Sequence, residues 1–266
     1  MRQPLALNFS LTGNTGEPVF FLHGLYGSGA NWRGIARRFE NSHRIYTPDL
    51  RCHGRSPHAS DMSYLSLAAD VLALFDAQEI EQAPVLGHSM GGKVAMALAL
   101  LAPERISRLM VVDIAPVTYD HTPEHGRIIA AMQALDLSQI ESREAADLAL
   151  STTITSAQVR QFLLTNLQHH QGQWSWRIPL EIFADQLPAL LAWPEPLDRA
   201  DWAGPAEFVY GGRSNYVTAS HTQVIKQRFP SATTHCIEDA GHWVHAEKPD
   251  AFLKKLQPFL IGKNHV

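Results

Sequence analysis

Val85-Leu86-Gly87-His88-Ser89-Met90-Gly91-Gly92 reads Gly-x-Ser-x-Gly, set between a short apolar run and a helix-forming one. Ala83-Pro84-Val85-Leu86 predicts a buried strand. Lys93 to Ala102 predicts an apolar, alanine-rich helix that Pro103 stops. A serine on so tight a strand-to-helix turn has its hydroxyl exposed, the geometry of a nucleophile elbow. The turn brings backbones together at the flanking glycines and leaves no space for a Cβ. The helix that follows aims N–H groups and its positive dipole end at a negative charge forming beside the serine.

Outward from the elbow, short β-rich runs alternate with helical patterns. Val19–Leu22, Arg44–Thr47, Pro84–Leu86, Leu109–Val112, Glu207–Tyr210 and Thr233–Cys236 read as buried strands. Tyr64–Gln78, Tyr216–Phe229 and Pro249–Leu260 carry apolar residues at helical spacing. This alternation predicts an α/β fold with a mainly parallel sheet, helices on both faces, and reactive groups in loops beyond the carboxyl ends of the strands. From about Pro116 to Pro196 the pattern changes to helices alone, at Glu124–Leu135, Arg143–Ser151, Ala157–Leu167 and Phe183–Trp193. Gln173–Pro179 is aromatic and reads as irregular. The expected organisation is a core of residues 1–115 and 197–266 with an inserted helical cap at 116–196.

Composition narrows the function. The chain has 266 residues, 45% of them hydrophobic, enough for a large core. A formal net charge of −4 and the absence of any basic run argue against nucleic acid. No apolar run reaches membrane-spanning length. The start, Met1-Arg2-Gln3-Pro4-Leu5, lacks the apolar stretch of a signal peptide. Cys52 and Cys236 make no disulfide framework and have no metal-ligand spacing. A cytoplasmic protein is the expectation. The fourteen histidines are scattered, so no metal site is expected.

A serine hydroxyl needs a base to become a nucleophile. His242, in Asp239-Ala240-Gly241-His242-Trp243, follows the last strand run and precedes the C-terminal helix, which makes it the candidate base. His88 adjoins the serine, but adjacent side chains on an elbow point apart. His23 and His245 read as structural. An oxyanion needs donors, and the backbone N–H groups of Leu25, in His23-Gly24-Leu25-Tyr26-Gly27, and of Met90 are the candidates.

Four motifs now stand in order: His23-Gly24, Asp49 to Ser56, Gly87 to Gly92, and Gly241-His242. With them the chain resembles the α/β-hydrolase superfamily from about Pro4 to Leu260. The resemblance implies a mostly parallel eight-stranded sheet, a cap after the sixth strand, and hydrolysis through an acyl-serine without a cofactor. Asp49 and Arg51 match a motif that is structural in that superfamily. The acid departs from the common pattern. Where most members place an aspartate after the seventh strand, this chain has Ser214, in Tyr210-Gly211-Gly212-Arg213-Ser214-Asn215-Tyr216-Val217. Serine cannot carry the charge that stabilises an imidazolium. Asp113, in Val112-Asp113-Ile114-Ala115-Pro116, ends the neighbouring strand, about 4.8 Å away in such a sheet. The chain order Ser, Asp, His is kept. This pairing is similar to the small bacterial esterases of the YbfF type, which act on thioesters and short esters. Asp113 is therefore the expected acid, with Ser214 as its support. Asp239 is a poor rival, three residues from His242. The expected activity is hydrolysis of a small ester or thioester, acyl-CoA included. Carbon–carbon hydrolases, haloperoxidase-like members and hydrolase-derived small-molecule-binding proteins share the scaffold and remain alternatives.

Overall fold

The computed structural model of the chain describes residues 3–262. Nine strands are defined there: β1 (Phe9–Thr12), β2 (Glu17–Leu22), β3 (His43–Pro48), β4 (Ala83–His88), β5 (Ile106–Val112), β6 (Leu167–His170), β7 (Gln173–Trp176), β8 (Ala206–Gly211) and β9 (Thr233–Ile237). The helices are α1 (Arg33–Ala36), α2 (Tyr64–Ala77), α3 (Met90–Leu101), α4 (Thr122–Gln133), α5 (Arg143–Ser151), α6 (Ala157–Leu164), α7 (Leu180–Leu191), α8 (Ala219–Arg228), α9 (Val244–Glu247) and α10 (Pro249–Ile261).

Seven strands form one sheet in the order β1-β3-β2-β4-β5-β8-β9, and β6 and β7 form a separate pair. Only β1 runs antiparallel in the large sheet. The α/β class is as expected, but the sheet has seven strands among the described residues rather than eight. Residues 3–8 add no further edge strand, and their backbone is engaged elsewhere. The Leu5 N–H donates to Asp70 Oδ1 on α2, and the Asn8 N–H donates to Ser56 Oγ.

The central strands are apolar on both faces, as strands covered on both sides must be. In β2, Phe20 and Leu22 enter the core beneath α2 and α3, while Val19 and Phe21 enter the core beneath α10 and Trp32. In β5, Leu109 and Val111 take the first face and Met110 and Val112 the second. The two-residue period of a strand thus feeds both cores from one short run.

After β5 the chain leaves the sheet and returns only at β8. Between them lie α4 to α7 and the β6–β7 hairpin, so the aromatic stretch at Gln173–Trp176 is a strand and not irregular. Its turn is Gln171-Gly172, both at positive φ (52° and 79°). That is the backbone a two-residue hairpin needs, but Gln lacks the left-handed preference that makes Asn-Gly a readable signal. Ile128, Met132, Leu163 and Phe183 from this segment join the core of the sheet's first face.

Two legs connect the segment to the sheet, and they are stitched together. The Tyr119 N–H donates to Leu191 O at 3.0 Å, and the Trp193 N–H to Thr118 Oγ1 at 2.9 Å. Core side chains reach the same leg: Tyr64 Oη donates to Leu190 O, and the buried Lys93 Nζ donates to Leu191 O and Ala192 O at 2.8 and 2.9 Å. Burial without a carboxylate partner pushes the Lys93 ammonium down to about 7. Among the described residues no helix is long and apolar enough to cross a membrane.

Candidate active site

Ser89 stands between β4 and α3 with φ 54° and ψ −122°, a conformation a side chain rarely adopts. The glycines around it make the turn possible. A Cβ on Gly87 would meet Gly91 O at 2.1 Å, and one on Gly91 would meet Leu22 O and His23 O at 2.5 Å. The half-buried Ser89 opens onto a cavity of about 780 Å³ that His242, Tyr26, His125, Phe162 and Trp243 also line.

Asp113 is fully buried at the end of β5, also at positive φ (51°). Its carboxylate faces the end of β8. Oδ1 accepts from the Gly211 N–H at 3.0 Å, and Oδ2 accepts from Ser214 Oγ and from His242 Nδ1, the latter at 2.7 Å. Ser214 and His242 therefore meet on one carboxylate oxygen of Asp113. Since Nδ1 donates to the carboxylate, Nε2 is the nitrogen free to accept a proton. Among the described residues no hydrogen bond joins Ser89 Oγ to His242. The two share one cavity wall, and such bonds commonly tighten only with substrate in place. Asp239 is exposed and makes no contact with the imidazole through its side chain.

The oxyanion candidates Leu25 and Met90 both line the cavity that Ser89 opens onto. His23 donates through Nδ1 to Gly24 O and accepts the Leu50 N–H at Nε2, which braces the loop bearing Leu25. That loop lies on the elbow: a Cβ at Gly24 would sit 3.3 Å from the Ser89 Cβ. The N–H groups of Leu25 and Met90 have no acceptor among the described residues. Asp49 and Arg51 stand outside this centre. The Asp49 carboxylate accepts the N–H groups of Gly29 and Arg55, and Arg51 forms a buried two-pronged pair with Asp70.

Three aromatic side chains make contacts that were not legible in the sequence. Tyr216 stacks on His242 with ring centroids 4.0 Å apart, because α8 begins only at Ala219 and leaves Tyr216 in the loop. His125 of α4 lies 3.3 Å from Tyr26 Oη and 3.4 Å from Tyr216 Oη. His88 reaches the carbonyl of His242. Burial holds several of these rings neutral, His125 pushed down to about 4 and His245 to about 3. Below about 6.5 the unfolded chain binds protons there that the folded chain refuses, so unfolding takes up protons. The melting temperature is expected to fall as pH drops from 6.5 towards 4, and His245→Phe to flatten that slope in a series of melts across pH.

Comparison with known proteins agrees with this architecture. A family model described as alpha/beta hydrolase fold matches residues 17–249. The chain is 39% identical over 266 residues to the sn-1-specific diacylglycerol lipase ABHD11 of Mus musculus, covering 97% of this chain and 86% of that protein. It is 40% identical over 244 residues to Esterase YbfF of Escherichia coli strain K12, covering 92% and 93%. A solved structure titled Marine microorganism esterase superposes with a TM-score of 0.92 at 38% identity, over 96% of this chain and 99% of that one. A serine elbow, a seven-stranded sheet in this order and a family match over most of the length lead to one statement: the chain belongs to the alpha/beta hydrolase fold family.

Proposed function

We propose that the protein is a serine hydrolase of carboxylic esters that works through an acyl-enzyme on Ser89. His242 Nε2 takes the Ser89 proton as Oγ attacks the acyl carbonyl. The N–H groups of Leu25 and Met90 hold the oxyanion, each such donor being worth roughly 3 kcal/mol in the transition state. The intermediate collapses, the C–O bond to the leaving group breaks, and His242 returns the proton to the departing alcohol. Water, deprotonated by the same nitrogen, then frees the acid and restores Ser89. Residues 116–196 act as the cap that walls the acyl chain with Ile128, Phe162 and Leu163. The observation that carries this reading is the 2.7 Å pairing of His242 Nδ1 with buried Asp113 Oδ2 on the wall of the Ser89 cavity. The esterase and lipase names of the relatives support the ester class. Thioesters, acyl-CoA among them, fall within the proposal because a thiolate leaves by the same steps.

The test is a fluorophosphonate probe with peptide mapping, together with p-nitrophenyl esters and acyl-CoAs of graded length and a carbon–carbon substrate. Label on Ser89 and ester turnover are expected. Turnover of the carbon–carbon substrate alone overturns the assignment, and an unlabelled Ser89 makes the chain a binding protein. Ser214 serves as support for the acid, since its hydroxyl donates to Asp113 Oδ2. Ser214→Ala is expected to lower kcat roughly tenfold, the worth of a hydrogen bond to a charged group, with KM little changed. Steady-state kinetics on one ester check this.

A further inference from the structure

We propose that His88 is a positioning residue of the hydrolysis, one side chain that sets the elbow, the oxyanion loop and the base loop in register. The inference rests on the ester-hydrolysis reading above.

Three contacts carry it. His88 precedes Ser89 at the end of β4, so its backbone belongs to the elbow itself. Its Nε2 stands 2.9 Å from the carbonyl oxygen of His242, 154 positions along the chain. A carbonyl only accepts, so Nε2 carries the proton and donates. Its Nδ1 side faces the oxyanion loop: a Cβ on Gly24 would come within 3.1 Å of that atom. The ring is 5% exposed and packs against the imidazoles of His242 and His245, centroids 4.7 and 4.8 Å away. Burial and these neighbours hold it neutral, and the carbonyl keeps its one ring proton on Nε2.

The consequence is mechanical. The His242 side chain is tied to Asp113 through Nδ1, but that bond leaves the imidazole free to tilt about it. The backbone bond from His88 removes this freedom by holding the His242 main chain against the residue next to the nucleophile. The distance from Nε2 to Ser89 Oγ then depends on a bond that neither group makes. His88 takes no proton and touches no reacting atom.

Four proteins test this: wild type, His88→Phe, His88→Gln and His88→Asn. Phenylalanine keeps the ring volume and removes the donor. Glutamine places an amide N–H close to where Nε2 stands, whereas asparagine is too short to reach the carbonyl. The readouts are kcat and KM on one p-nitrophenyl ester, the melting temperature, and the far-downfield proton resonance of the His242–Asp113 bond. Expected for His88→Phe is a fall in kcat of about a hundredfold with KM retained, the effect of an ångström of misplacement, and a shifted or broadened downfield resonance. His88→Gln regains most of the lost kcat and His88→Asn does not. If Phe fails to fold, the contrast between Gln and Asn decides. Equal kcat for Gln and Asn, or an unmoved resonance with losses that follow melting temperature alone, overturns the proposal. Ester turnover by the wild type is a separate arm: its absence sinks the proposed function, and the downfield resonance, shifted in His88→Phe and restored in His88→Gln or unmoved in both, then decides the positioning role.

Discussion

Asp113→Asn is expected to lower kcat by on the order of 10⁴, the loss seen when the base is left in the wrong tautomer. The structure says why the swap is so costly. An asparagine can still accept the Gly211 N–H through its oxygen, so the loop at the end of β8 keeps its anchor. The amide nitrogen then occupies the place of Oδ2, where Ser214 Oγ and His242 Nδ1 both donate to the native carboxylate. Two donors face a third. The imidazole resolves the clash by moving its proton to Nε2, and a protonated Nε2 cannot take the proton of Ser89. Circular dichroism and the melting curve should report an intact fold, with loss confined to turnover. An Asp113→Asn protein that turns over ester at near the wild-type rate would remove Asp113 from the mechanism.

His242→Ala carries the larger penalty, on the order of 10⁶ in kcat, because Ser89 then has no base at all. The imidazole side chain is 22% exposed, so truncation opens little of the core and stability should change modestly. Residues that act as a unit do not add their effects. The double variant with Asp113→Asn is therefore expected to be no slower than His242→Ala alone. A multiplicative double variant would mean that the two side chains serve separate steps. Single-turnover kinetics with a p-nitrophenyl ester distinguish the two outcomes, since they read the acylation step directly.

The strands that build the core were legible because their apolar runs are bounded by turn residues. Val19–Leu22 and Leu109–Val112 sit inside the strands observed. Ser89 was legible because a strained turn requires glycines at fixed offsets, which leaves a mark in the sequence. Asp113 was harder. Its positive φ and its full burial are invisible in a string, and only the missing carboxylate at Ser214 directed attention to the adjacent strand. Contacts made by ordinary residues over long separations left no mark. Tyr216 read as the start of a helix, and nothing in Gly-His-Ser announced that His88 would meet a carbonyl 154 residues away. The edge strand Phe9–Thr12 is four residues long and half exposed, too short for a period of two to show. Local signals record backbone demands, whereas side-chain meetings are settled by topology.

The stitching at Leu190–Trp193 decides where the segment between β5 and β8 is held most firmly. Lys93 and Tyr64 grip carbonyls on one leg, and Thr118 and Tyr119 bind that leg to the other. Lifting this segment from the sheet here would strip the buried Lys93 amine of both acceptors and break the Tyr64 bond too, three hydrogen bonds together. A second contact between the segment and the core is of another kind. There Phe162 of α6 leans on Trp243, the residue after the base, with ring centroids 5.6 Å apart. Two rings held by contact alone part more cheaply than three hydrogen bonds. The weaker seam thus lies beside the very loop that carries His242.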